Sequence, residues 1–296
     1  MVAVPMESFY TDKSQVRRAF ERSARTYDGA AVLQREVADR MFERLELVKL
    51  APAQMLDAGC GTGYAGPKLR GRYPDARLIE LDLAMAMLKV AAGRVGLLGK
   101  VFGKRHWQVC ADLESLPLAN DSVDLVWSSL AMQWLNEPDV AFRECHRVLR
   151  PEGLLMFSTF GPDTLLELKQ AFGQVDDKPH VNRFIDMHDL GDALSHAGFS
   201  APVMDMEKIV LTYADVRSVM RDLKAIGAHN VAMGRSRGLM GKQAFARAEA
   251  AYEQLRRDGK LPATYEVVYG HAWKPQPKPQ LADGRQVIEF RPRPKT

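Results

Sequence analysis

Met55-Leu-Asp-Ala-Gly-Cys-Gly-Thr-Gly63 is a short apolar run that ends in an acid and breaks into three alternate glycines. Glycine tolerates positive φ and lets backbone approach a ligand closely, and a helix starting after it offers free N–H groups. The stretch reads as strand, ligand-cradling turn and helix start. Working outward, Gln54–Ala58, Arg77–Leu81, Trp107–Ala111, Val123–Ser128 and Gly153–Thr159 read as strands. Helical stretches Pro67–Arg72, Met85–Val95 and Asp139–Val148 lie between them. Short apolar runs alternating with helical ones predict a parallel α/β sheet.

Before this core, Asp12-Lys-Ser-Gln15 resembles a capping box opening a helix with Val16, Ala19, Phe20 and Ala24 inward. A second helix follows, with Leu33, Val37, Met41, Leu45 and Val48 at helical spacing, and Pro52 ends it. After the core come a helix near His188–Ala197, a strand near Val203–Leu211 and a last strand, Thr264–Tyr269. Residues 214–260 are too long for a simple connection and predict a helical lid, with helices over Asp215–Ile226 and Lys242–Arg257 around Gly234-Arg-Ser-Arg-Gly238. The expected organisation is a cap over 1–50, a core over 51–213, the insertion, a last strand within 261–273 and a tail over 274–296.

The chain has 296 residues, 46% hydrophobic and 26% charged, which excludes a disordered or fibrous protein. No apolar window is long enough to span a membrane, and Met1–Tyr10 lacks the pattern of a secretory signal. Three widely spaced cysteines, Cys60, Cys110 and Cys145, suit reduced thiols, so a cytoplasmic location is expected. From His271 to Thr296 six basic residues face two acids, and the rest of the chain carries 35 of each sign. No basic field of nucleic-acid size remains in the core. The tail holds five of the sixteen prolines and reads as an extended strap. His180, His188 and His196 fall at no usual metal-ligand spacing, and no metal is expected.

Gly61-Thr-Gly-Tyr-Ala-Gly66 also satisfies the dinucleotide fingerprint, with Asp82 about twenty residues on. Asp57 discriminates. A carboxylate before the first glycine repels a pyrophosphate but suits the ammonium of an amino-acid-like ligand.

Between Ala53 and Thr159 the chain resembles the class I S-adenosylmethionine-dependent methyltransferases, which implies a doubly wound, mostly parallel, seven-stranded Rossmann-like α/β sheet. Asp57, Gly59, Gly61 and Gly63 match the cofactor loop along the methionine part. Asp82, closing Ile79-Glu-Leu-Asp82, matches the acid that accepts both ribose hydroxyls. Leu83 and Met87 would flank the adenine. Ala111-Asp112-Leu113, then Leu116-Pro-Leu118, matches the third-strand motif, with Asp112 on the adenine amino group. Ser128 and Ser129 would overlook the reacting methyl.

Beyond the core the chain resembles the malonyl-acyl-carrier-protein O-methyltransferases of biotin synthesis. The segments are Ala19–Asp28 with Leu33-Gln34, Ser129–Leu135, Pro179-His-Val-Asn-Arg-Phe184, Leu223–Ala228 and Leu261–Tyr265. The resemblance implies S-adenosylmethionine as cosubstrate and a malonyl thioester on acyl carrier protein as partner. A cation is then needed for the free carboxylate. Arg183, flanked by His180, Asn182 and Phe184, is the candidate, because arginine grips a carboxylate with two parallel bonds. Tyr27 would close over the sulfonium or bond the substrate. Carrier proteins are acidic and helical, so Lys224, Arg235, Arg237, Lys242 and Arg247 are candidates for docking. The middle and C-terminal segments also resemble a mitochondrial methyltransferase-like assembly factor of respiratory complex I, which is the alternative to the favoured enzyme. An enzyme for another small acid or a quinone precursor also stays open.

Overall fold

The computed structural model describes residues 10–94, 106–228, 230–231 and 240–277. Val95, Arg235, Arg237 and the tail from residue 278 onward lie outside the described residues. Seven strands form one sheet: β1 (Gln54–Ala58), β2 (Arg77–Asp82), β3 (His106–Cys110), β4 (Val123–Ser129), β5 (Leu149–Phe160), β6 (Ser200–Tyr213) and β7 (Leu261–Trp273). Their order is β3-β2-β1-β4-β5-β7-β6. The first five run parallel, and β7 lies antiparallel between β5 and β6. Met55, Leu56, Asp57 and Ala58 are all buried, as expected of a parallel strand covered on both faces. The chain reverses its direction of winding between β1 and β4. In sheets of this kind ligands bind outside the carboxyl ends of the strands at that point, and the glycine loop leaves β1 there.

Helices α4 (Ala65–Arg72), α5 (Met85–Arg94) and α6 (Pro138–Val148) follow β1, β2 and β4 within a residue or two of the expected bounds. Ahead of the sheet stand α1 (Lys13–Ser23), α2 (Tyr27–Ala30) and α3 (Val32–Glu46). Asp12 caps α1, accepting from the Ser14 and Gln15 amides. Glu21 on α1 accepts from the Met85 and Ala86 amides at 2.8 and 3.1 Å, so the first helix caps α5 from outside. Arg44 on α3 pairs with Asp205 on β6 at 2.7 Å. The N-terminal helices are thereby fastened to both ends of the sheet.

Helix α7 (Leu166–Gly173) was not expected from the sequence. Leu165, before it, sits at φ 55 and provides no side-chain cap, so the usual start signal is missing. Then come α8 (Met187–His196) and, between β6 and β7, α9 (Val216–Ala225) and α10 (Lys242–Glu253). Strand β6 runs longer than its apolar run because antiparallel bonding to β7 continues out to Tyr213 opposite Leu261. Gly227, at φ 73, lets the end of α9 approach α1, since an added Cβ there would stand 2.8 Å from the Ser23 hydroxyl.

Candidate active site

Two cavities meet at the carboxyl ends of β1 and β4. The first, about 1120 Å³, is lined by Asp57, Gly59, Gly61, Asp82, Leu83, Met87, Asp112 and Leu113 among others. All eight were singled out in the sequence, and the fold brings them onto one wall. Gly61 is at φ 54, and a Cβ built on it meets nothing within 4 Å, so a side chain there would project into open cavity. Gly59 and Gly63, at φ 79 and 76, have a further reason to be glycine. A Cβ on Gly59 would stand 2.3 Å from the Ala131 methyl, and one on Gly63 2.8 Å from that of Ala91. Gly63 therefore packs the loop onto α5 and does not line the cavity. Gly66, the third glycine of the dinucleotide pattern, is likewise a packing position, because its Cβ would stand 2.2 Å from a Glu80 carboxylate oxygen.

Asp82 holds the loop in shape. It accepts from the Gly61 amide at 2.9 Å and the Ala84 amide at 2.8 Å. Burial pushes its carboxyl up to about 6. Asp57 is buried, and its Oδ2 has no hydrogen-bond partner. Burial, then Glu80 and Asp82, raise its pKa well above the carboxylate range. Across the cavity, Lys13 of α1 donates to Asp112 at 2.5 Å and to Glu114. The sequence reading missed Lys13, since its partners lie about a hundred residues away.

Asp28 clips α2 to the glycine loop. It accepts from the Thr62 hydroxyl at 2.6 Å and from Arg94 at 2.6 Å. That places Tyr27 against the cavity, where burial, then Asp82 and Asp28, push its hydroxyl pKa upward. Ser128 is a correction. It is fully buried and donates to the Ala58 carbonyl at 2.8 Å, tying β4 to β1, while Ser129, one residue on, reaches the cavity wall. Successive strand residues face opposite sides, so only one of the pair can do so.

The second cavity, about 1290 Å³, shares Phe20, Tyr27, Gln34, Leu130 and Trp134 with the first. It is mostly apolar, walled further by Phe160, Leu168, Phe172, Phe184, Met220 and Phe245. His180 and Asn182 line it. His180 bonds Asp176 at 2.7 Å, and Asn182 accepts from the Val231 amide at 3.2 Å. Arg183 is the second correction. It is exposed and lies in an outer groove with Lys169 and Lys178, on the far side of the 180–184 segment. Alternation along an extended segment sends its neighbours inward and Arg183 outward. No lysine or arginine among the described residues lines the second cavity.

Buried polar atoms without partners are rare and call for an explanation. Here Asp57 Oδ2, Gln34 Oε1, Trp127 Nε1 and Gln133 Oε1 all belong to residues of these two cavities. A ligand with donors and acceptors would satisfy them. The orphaned Asp57 oxygen and the open space above Gly61 fit a ligand with an ammonium lying along the loop.

The sheet order, the glycine loop at the switch point and the acid closing β2 define a class I S-adenosylmethionine-dependent methyltransferase. The methyltransferase domain family matches residues 56–157. The chain belongs to the malonyl-[acyl-carrier protein] O-methyltransferase family. The relative so named from Laribacter hongkongensis is 63% identical over 291 residues, covering 97% of this chain and 98% of its own. That of a Methylovorus species is 60% identical over 289 residues, 97% of each. Among solved structures the YcgJ protein of Bacillus subtilis shares the fold, with a TM-score of 0.56 at 17% identity over 80% of this chain and 98% of that one.

Proposed function

We propose that this enzyme transfers a methyl group from S-adenosylmethionine to the free carboxylate of a malonyl thioester borne by acyl carrier protein. The observation that carries the reading is the pair of joined cavities, one lined by the cofactor motifs and one apolar, meeting at Tyr27, Leu130 and Trp134. Asp57, Gly59, Gly61 and Gly63 would hold the methionine end, Asp82 the ribose, and Leu83, Met87, Asp112 and Leu113 the adenine. When bound, S-adenosylmethionine supplies a methyl already activated on a sulfonium. The protein's contribution is then positioning and exclusion of water.

A malonyl carboxylate has an ordinary pKa near 4 and is ionised at pH 7, so no residue need act as base. Removing it from water raises its reactivity, provided neutral donors hold it in place. Tyr27, whose raised pKa keeps it a hydroxyl donor, the Gln34 amide and, deeper in the second cavity, Asn182 are among the neutral donors available, with His180 beside them. Arg183 does not take this role from its position outside the cavity. Esterification neutralises the product, and an apolar cavity releases no charge with it.

The test is incubation with labelled S-adenosylmethionine and malonyl-carrier protein, followed by mass measurement of the carrier. The expected result is one methyl gained as a base-labile ester, and none on acetyl-carrier protein. Methyl gained equally by both would mean that the carboxylate is not the acceptor.

A further inference from the structure

Outside the second cavity lies a wide groove of about 1890 Å³ between α1 and α9. Four cations wall it: Arg22 from α1, and Arg217, Arg221 and Lys224 from α9. The last three recur at spacings of four and three, which places them in one stripe along the helix. No carboxylate lines the groove among the described residues. Arg22 donates to the Arg18 carbonyl and Arg221 to the Ser218 hydroxyl, both neutral. Arg217 lies 3.6 Å from Glu249, and Lys224 has no ion pair among the described residues. Asp222, the acid of α9, turns instead toward the pocket beside Tyr213 and Tyr265.

The floor of the groove is apolar. Met220, 41% exposed, and Phe245 line both this groove and the second cavity, and among the described residues they are the side chains the two walls share. A cationic surface over an apolar passage suits a partner that is acidic outside and carries a long, thin acyl arm. The comparable groove on the other side of the cavity, about 1040 Å³, mixes Lys169, Lys178 and Arg183 with Asp186 and Asp189. An acidic partner gains less there, because like charges face it.

We infer that the groove between α1 and α9 is where the acidic carrier protein docks, its thioester arm entering the second cavity between Met220 and Phe245. This rests on the malonyl-carrier reading above. It also relocates the docking surface expected from the sequence. Lys224 belongs to it, whereas Lys242 and Arg247 stand exposed on α10 outside the groove.

The experiment compares kcat/KM for malonyl-carrier protein with that for malonyl-coenzyme A, in the unaltered chain and in the Arg221→Glu, Lys224→Glu double variant. Reversing two charges at a steered interface should raise KM for the carrier substrate by about tenfold or more, and flatten its rise with salt. KM for the coenzyme A thioester should stay within about twofold. Lys178→Glu in the opposite groove should not change the ratio between the two substrates. S-adenosylhomocysteine affinity and melting temperature check that the double variant is folded. Equal effects on both substrates, no effect on either, or a carrier-selective loss in Lys178→Glu would overturn the docking site. If the unaltered chain methylated neither thioester, the malonyl reading itself would fall, and the docking site with it.

Discussion

The two joined cavities are built in opposite ways. The first is centred on the strand ends: a glycine loop, the Asp82 carboxylate that braces it, Leu83 and Met87, with α1 to α3 closing over them. It carries carboxylates in Asp57, Asp82 and Asp112. The second is made of side chains from widely separated segments, and His180 is the one ordinarily basic group on its wall among the described residues. On the proposed reading, charged groups at the strand ends would recognise the cofactor, while shape and dryness would govern the acyl end of the substrate inside the second cavity. Substitutions should therefore separate cofactor affinity from turnover according to which cavity they enter.

The largest effect is expected at Gly61. Gly61→Val places a branched side chain in the open space above the loop and strains a φ of 54. Calorimetric titration should show S-adenosylhomocysteine affinity reduced by at least about a hundredfold, a loss of about 2.7 kcal/mol. Retained affinity would mean that the ligand does not lie on this loop. Asp82→Ala should cost about 1.5–3 kcal/mol if, as proposed, it removes charge-assisted bonds to the ribose. The same titration reads it, and an unchanged affinity would break the first half of the comparison.

The pH dependence sharpens that half. On the proposed reading the ionised form of Asp82 would accept from ribose hydroxyls, and burial raises its carboxyl to about 6. Below that value the protein must release a proton to bind, so affinity should fall by up to about tenfold per pH unit. Asp82→Asn should remove the dependence. The sign reverses for stability of the empty protein. A carboxyl raised above its unfolded value of 3.8 contributes stability below that pH, and loses it as pH rises through 6. In thermal melts across pH 5–8 this group's contribution should fall with rising pH in the empty protein and stay flat with S-adenosylhomocysteine bound, where an ionised Asp82 matches the unfolded chain.

The smallest effect tests the second half. Arg183 is exposed in the outer groove, so Arg183→Ala should change kcat/KM for a small malonyl thioester by no more than about twofold. A thirtyfold loss in steady-state kinetics would restore the arginine clamp expected from the sequence, and would require the 180–184 segment to turn inward.

What was legible in the sequence follows the same division. Strands β1 to β5, the glycine loop and the places of Asp82 and Asp112 on the cavity wall could be read because parallel strands are continuous apolar runs and these side chains sit at fixed offsets from strand ends. The second cavity resisted because no local pattern links Gln34, Gln133, Thr164 and Met220 before the chain folds. Helix α7 escaped for want of a capping residue, although Leu165, Leu168, Ala171 and Phe172 carry its helical spacing and are all buried. Ser128 and Arg183 were misplaced for one reason. In an extended segment a shift of one residue turns a side chain to the other face, and sequence position alone does not say which.

Filling the second cavity without touching the first tests the account most directly. Ala228 lines the apolar cavity and is absent from the wall shared with the cofactor cavity. Methyl transfer to a malonyl thioester by Ala228→Trp, measured with S-adenosylhomocysteine affinity on the same sample, should fall by at least about tenfold while that affinity stays within about twofold of the unaltered chain. Methyl transfer unchanged by the added indole, or cofactor affinity lost in proportion to turnover, would contradict the division of the site into two cavities with separate ligands.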